Sequence, residues 1–226
     1  LDSFSYQWEH IPTGLYLAGD SKWNPIKDIE TYFDEPRSAF EDKSVLDYGC
    51  GSGRYAKAFC EFGAHVTGHD RLDIFQKAQK NCRPHYLSRF ATGETFYFVW
   101  CFGVAHHTGC TYSIVKMLTY ALKPGGKIFL MIYGLPKKLN EYALCNEYDD
   151  LRDKLTPLTY PERLKYIKAR YPPDQVHGMF DAVSPQIADL LSFEEIYELL
   201  KYLGLEDISI NSQHRNHFIT ARSKKP

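Results

Sequence analysis

Three alternating glycines, Gly49, Gly51 and Gly53, follow the apolar run Val45-Leu46-Asp47-Tyr48, and a carboxylate, Asp70, closes the next run, Val66-Thr67-Gly68-His69. A side chain at any of these glycines would hold a ligand off the backbone. The run therefore reads as a turn pressed against a bound molecule, with helix-start amides facing it. A carboxylate one strand later can accept both hydroxyls of a ribose. Together the two features describe a nucleoside-containing cofactor lying across the ends of a parallel sheet. A second group with chemical capacity is His106-His107, since imidazole titrates where a proton can be removed near neutral pH.

Spacing narrows the cofactor. A dinucleotide site needs G-x-G-x-x-G, and Arg54 stands where its third glycine would be. The pattern present is D-x-G-x-G-x-G from Asp47, which resembles motif I of the class I S-adenosylmethionine-dependent methyltransferases, within their small-molecule group. The resemblance extends to Leu122-Lys-Pro-Gly-Gly-Lys127 before an apolar strand, and to Phe102-Gly103-Val104-Ala105-His106-His107-Thr108 at the end of the fourth strand. It spans roughly 45–133 and is specific as a set. Phe4-x-Tyr-Gln-Trp8 and Phe180-Asp-Ala-Val-Ser-Pro185 look like further segments of that group.

The resemblance implies S-adenosylmethionine as cofactor. The glycine turn, Gly49 to Gly53 with Cys50 and Arg54, would take its methionine half. Asp47 would lie near its amino group and Asp70, followed by Arg71, at its ribose; Phe102 and Gly103 complete the implied binding set. Methyl transfer from a sulfonium is an in-line displacement, so the protein's part is alignment and exclusion of water. A hydroxyl or ammonium acceptor needs a base, and the family's acceptor site falls at His106-His107. Neighbouring residues point in different directions, so His107 is read as base or acceptor-orienting group and His106 as the second candidate; a histidine that only hydrogen-bonds its turn is the alternative.

The surrounding pattern supplies the elements that position these groups. Val45–Asp47 reads as a strand, 54–62 as a helix with Ala56, Phe59 and Cys60 inward and Gly63 as its stop, His65–Asp70 as a strand, and 72–82 as a helix. Phe96–Phe102 is a buried strand, 112–122 a helix, and Lys127–Tyr133 a strand after the Pro124-Gly125-Gly126 turn. A capping box at Ser192/Glu195 opens a helix ending at Gly204, before an antiparallel hairpin from Leu205–Ile210 and His217–Ala221. This predicts an α/β, Rossmann-like, doubly wound, mostly parallel sheet with a C-terminal antiparallel hairpin and a helical cap insertion. We read one methyltransferase domain, 1–226: an N-terminal arm 1–40, a cofactor-binding core 41–133, a helical cap 134–180, and the closing helix and hairpin 181–226. The aromatic arm either covers the cofactor mouth or packs on the sheet.

One stretch departs from the family. Only 35 residues separate Asp70 from His106, leaving Pro84 to Thr95 for both a third strand, read at His85 to Phe90, and the acidic adenine loop, for which Glu94 is the one carboxylate left. Either the adenine pocket is abbreviated or a loop is missing from this sequence. In the insertion, Arg163, Lys165, Lys168 and Arg170 form a basic cluster, either a solvated helix face or a receiver for an acidic substrate.

Composition bounds the rest. The 226 residues, 44% hydrophobic and 24% charged, suffice for a full core, and the net charge of -1 supplies no field for nucleic acid. No long apolar run argues for a transmembrane helix, and the first residues lack a signal-peptide pattern. Cysteines at 50, 60, 82, 101, 110 and 145 show no C-x-x-C pair, which suits reduced thiols in the cytoplasm. His214-x-x-His217 falls in a hairpin turn without a third ligand, so no metal is expected. Asp181 is a further acid near the crevice by position alone. The expected partner is a small-molecule acceptor methylated at oxygen or nitrogen; a catalytically inactive binding protein is the alternative, and RNA methylation is disfavoured by charge.

Overall fold

The computed structural model describes residues 2–11, 24–82, 88–91, 93–135, 139–213 and 216–225, with backbone alone for 139–146 and 213. The strands are β1 (Ser44–Tyr48), β2 (His65–His69), β3 (Ser88–Arg89), β4 (Phe96–Phe102), β5 (Leu122–Tyr133), β6 (Leu205–Gln213) and β7 (Asn216–Ser223). The helices, in chain order, are α1 (Ser3–His10), α2 (Pro25–Phe33), α3 (Arg54–Glu61), α4 (Leu72–Asn81), α5 (Thr111–Tyr120), α6 (Leu139–Leu155), α7 (Tyr160–Lys168), α8 (Val176–Val183) and α9 (Phe193–Tyr202).

All seven strands form one sheet in the order β3-β2-β1-β4-β5-β7-β6. β1 to β5 are parallel, whereas β7 runs antiparallel to both β5 and β6. The apolar runs of β4 and β5 follow from burial on two faces. One face carries Trp100 and Phe129, with Phe33, Phe40 and Phe59 packed on them; the other carries Leu46, Val99 and Ile128 under Val115, Leu118, Ile196 and Leu200. Both hydrogen bonds of the capping box at Ser192 and Glu195 are formed at the start of α9.

Contacts divide the chain into two compact units, Pro25–Leu135 with Ala188–Pro226, and Leu1–Asn24 with Pro136–Ile187. The first holds the sheet. In the second, Ile11, Leu155, Ile167, Phe180 and Val183 form a separate core among helices. The division falls inside the arm read as 1–40: Tyr6 lies 5.7 Å from Tyr160 and 5.8 Å from Phe180, while Tyr32 stacks 4.8 Å from Phe129 of the sheet. Of the arm's aromatics, Tyr16 and Trp23 lie outside the described residues.

Some local readings shift. The Pro124-Gly125-Gly126 turn is a bulge inside β5, because Phe96 still pairs with Leu122 before the register jumps to Phe98 and Lys127. The third strand is only Ser88–Arg89, with His85 to Leu87 outside the described residues. Six residues then lead straight into β4, with no room for a crossover helix. The hairpin strands extend closer to each other than read, to Gln213 and from Asn216, and His214 lies outside the described residues.

Candidate active site

The glycine turn sits where β1 hands over to α3. Gly49, Gly51 and Gly53 all hold left-handed backbone, with φ of 78°, 53° and 86°. Protein packing explains two of them beyond any ligand: a Cβ on Gly49 would collide with Val104, and one on Gly53 would lie 3.1 Å from both the Ala78 backbone and the Cys82 sulfur. The turn is tied to β2, since the Gly49 and Cys50 amides donate to the His69 carbonyl at 2.7 and 3.0 Å. Asp70 completes the tie. Its carboxylate accepts from the Gly51 amide and from the Arg71 amide, each at 2.8 Å. Each oxygen retains capacity for a further donor, so the geometry leaves Asp70 able to hold a diol. Burial raises the Asp70 pKa, with the Gly51 and Arg71 amides opposing.

Asp47 lies beneath the turn, 2% exposed, and its Oδ2 has no hydrogen-bond partner. Burial, then the Asp70 charge, pushes its pKa up to about 7, against a hydrogen bond from the Ala56 amide and the Arg54 charge. An orphaned buried carboxylate oxygen is costly unless a ligand or ion answers it. Glycine turn, Asp47 and Asp70 thus fit a zwitterionic nucleoside whose cationic end reaches Asp47. Arg54 lies over the rings of Tyr55, at 4.6 Å, and Phe102, at 5.7 Å. Tyr55 in turn donates to Asp28 at 2.9 Å, an α2–α3 link that sequence spacing gave no means of finding. Arg71 faces Asp73 across 3.6 Å.

Cys50 is 5% exposed, and burial raises its pKa far out of the thiolate range, so it is an inert part of the turn. Burial likewise pushes Cys60 to about 11 and Cys82 and Cys101 to about 12.

At the end of β4, which pairs with β1, Phe102 and Gly103 lead into a 3-10 turn, Ala105–His107. Gly103 takes φ of 72° and donates to the Met131 carbonyl at 3.1 Å. Val104, filling the space a Gly49 side chain would need, joins this turn to the glycine turn. His106 is fully buried, and burial holds its pKa well below the usual imidazole value. Its Nδ1 accepts from the Tyr133 amide at 3.3 Å, so the ring proton is assigned to Nε2, which has no hydrogen-bond partner. His106 is thereby a neutral donor, its Nδ1 lone pair already taken by the Tyr133 amide. His107 is half-buried, its ring 4.1 Å from His106 and edge-on to Tyr133 at 5.2 Å.

Other candidates belong to the helical unit. Arg163 directs its guanidinium at the carbonyls of Leu158, Thr156 and Ser184, and Arg170 stacks 3.6 Å over Tyr166, so half of the basic cluster braces the helical unit. Asp181 belongs to α8 of that unit. Among the described residues no group of three or more His, Cys, Asp or Glu could hold a metal ion, and no helix is long and apolar enough to cross a membrane.

Comparison with known proteins agrees with the class. The profile of a family described as "methyltransferase domain" matches residues 25–210, and the chain belongs to that family, among the class I S-adenosylmethionine-dependent methyltransferases. Its cofactor is S-adenosylmethionine. The chain is similar to the ubiquinone biosynthesis O-methyltransferase of Nitrosomonas europaea, 27% identical over 168 residues, covering 66% of this chain and 69% of that one. It is 32% identical over 129 residues to the protein of the same name from Idiomarina loihiensis, covering 49% of this chain but only 52% of the relative. In fold it is similar to magnesium protoporphyrin IX methyltransferase from Synechocystis PCC 6803, solved with bound SAH. The TM-score is 0.55 at 17% identity, over 97% of this chain and 94% of that one.

Proposed function

We propose that the chain transfers a methyl group from S-adenosylmethionine to an oxygen or nitrogen of a small-molecule acceptor, with a hydroxyl oxygen favoured by the O-methyltransferase relatives. The observation that carries this is the histidine turn at the end of β4, joined through Val104 to the glycine turn at the end of β1. The cofactor, when bound, supplies an electrophilic methyl on a sulfonium.

The chain's own residues do the rest. Asp47, Asp70 and the glycine turn hold the donor, with Arg54, Arg71, Phe102 and Gly103 along its edge. His107 removes the acceptor proton as the acceptor oxygen closes on the methyl carbon. His106 stays neutral and buried, bracing the turn that carries His107 through its bond to the Tyr133 amide. The proton taken from the acceptor would rest on His107, to be passed to solvent after transfer. The free thiols of Cys50, Cys60, Cys82, Cys101 and Cys110 support the reading of a reducing, cytoplasmic setting.

Thermal-shift titration with S-adenosylmethionine, its demethylated product SAH, and NAD tests the cofactor side; stabilisation by the first two alone is expected. Labelled methyl transfer to a panel of phenols, catechols, aliphatic alcohols and primary amines identifies the acceptor class. With the best of these, His107→Ala lowers kcat about 100-fold while calorimetric SAH affinity stays within about twofold. An equal loss of both reassigns His107 to cofactor support. SAH binding with no turnover on any acceptor supports the binding-protein alternative.

A further inference from the structure

The His106–His107 turn is three residues of 3-10 geometry, a conformation whose own hydrogen bonds are weak, so its shape depends on what holds it from outside. Its internal bonds are His107 amide to Val104 carbonyl, 2.9 Å, and Thr108 amide to Ala105 carbonyl, 3.2 Å. Outside them, one residue touches the turn by backbone and reaches its neighbour by side chain. The Asp189 amide donates to the His106 carbonyl at 2.8 Å, and the Asp189 carboxylate accepts from the Thr111 hydroxyl at 2.6 Å.

Thr111 is 2% exposed, opens α5, and also lies 3.2 Å from the Ala105 carbonyl at the start of the turn. Asp189 therefore ties the turn to α5: its amide holds the His106 carbonyl and its carboxylate takes the single proton of the Thr111 hydroxyl. A carboxylate at the first turn of α5 is also favoured by the helix N-terminus. On the far side the His106 ring takes the Tyr133 amide and stacks on Tyr133 at 3.9 Å.

We propose that Asp189 is a positioning residue for the His106–His107 turn, fixing the direction in which both imidazoles face. The inference rests on the reading of that turn as the acceptor site. Asp189 acts through Thr111 and the His106 carbonyl, without touching the acceptor. Loss of its carboxylate removes the side-chain tie to Thr111, so the Asp189 backbone that holds the His106 carbonyl can shift and the turn relaxes. A displacement near 1 Å at a reacting group costs on the order of 100-fold in rate, so a partial relaxation costs less.

The test uses the full chain and begins with a readout that needs no acceptor, the side-chain 15N signals of His106 and His107. The wild type shows His106 as the Nε2-protonated tautomer. In Asp189→Ala that signal moves to a mixture of tautomers, kcat falls about tenfold, and SAH affinity by calorimetry stays within twofold. Thr111→Val reproduces the effect, the double variant is no worse than either, and Asp189→Asn, which keeps an oxygen for Thr111, recovers most of the loss. Unchanged His106 signals in Asp189→Ala overturn the proposal, as does a kcat loss matched by equal losses of SAH affinity and melting temperature. A signal that moves while His107→Ala keeps full turnover upholds the hold of Asp189 on the turn and removes only the catalytic reading.

Discussion

The glycine turn after β1 and the six-residue link between β3 and β4 belong to one sheet, and the family resemblance gives each an end of the same nucleoside to hold. The first is held from several sides. His69 and Asp70 take its amides, Val104 fills the space above Gly49, and α4 presses on Gly53. The second is sparse: β3 offers two residues, no helix follows, and the one acid, Glu94, already accepts from the Ala91 amide at 3.0 Å. A turn braced by protein atoms is preorganised before ligand arrives, and an end without a braced partner adds little binding energy. Cofactor affinity should therefore concentrate at the amino-acid and ribose end.

Three substitutions would sharpen or break that contrast. The largest effect is expected from Asp70→Ala, which removes the proposed ribose acceptor and also orphans the Gly51 amide; SAH affinity measured by calorimetry should fall at least about 100-fold. Next is Asp47→Asn. Because the folded Asp47 pKa is raised from 3.8 to about 7, the folded chain binds more protons than the unfolded one between those values, so ligand-free stability falls as pH climbs from about 4 to about 7. Asp47→Asn should flatten that fall in a melting-temperature series, raise ligand-free stability above neutrality, and weaken SAH binding about tenfold at pH 8. Its SAH affinity should also lose the rise with pH that a deprotonating Asp47 gives the wild type. The smallest effect belongs to Glu94→Ala, with SAH affinity within about twofold of wild type. If Glu94→Ala instead weakens binding as far as Asp70→Ala does, the two ends carry equal weight and the contrast fails.

How much of this was legible follows the same divide. The stretch from β1 to β2 was readable because short-range signals agree: an apolar strand, glycines that need positive φ, inward Ala56, Phe59 and Cys60, and a stop at Gly63. The mostly parallel sheet and its closing antiparallel hairpin matched for the same reason. α1 was not readable, since it buries Ser3, Ser5 and Gln7 while Phe4, Tyr6 and Trp8 are only half-buried, so no apolar stripe marks it. Nor does any local pattern announce Asp189, whose bond to Thr111 joins residues 78 apart in sequence. The bareness of Gly49 reads in sequence as room for a ligand, and its contact with Val104 shows that the protein's own packing demands a glycine there as well. His106 could be picked out as a candidate, but its tautomer depends on the Tyr133 amide, which only the folded register brings to it.

Where β5 ends, Gly134 bridges in parallel to Leu191, with the Leu135 amide on the Leu191 carbonyl at 2.9 Å and the Leu191 amide on the Tyr133 carbonyl at 3.2 Å. The chain's exit from the sheet unit and its return are thus stitched side by side. An excursion closed at its root in this way is a modular graft: its length and contents can be exchanged in descent without disturbing the strands it springs from. Strands anchored like this can stay put while what springs from them drifts.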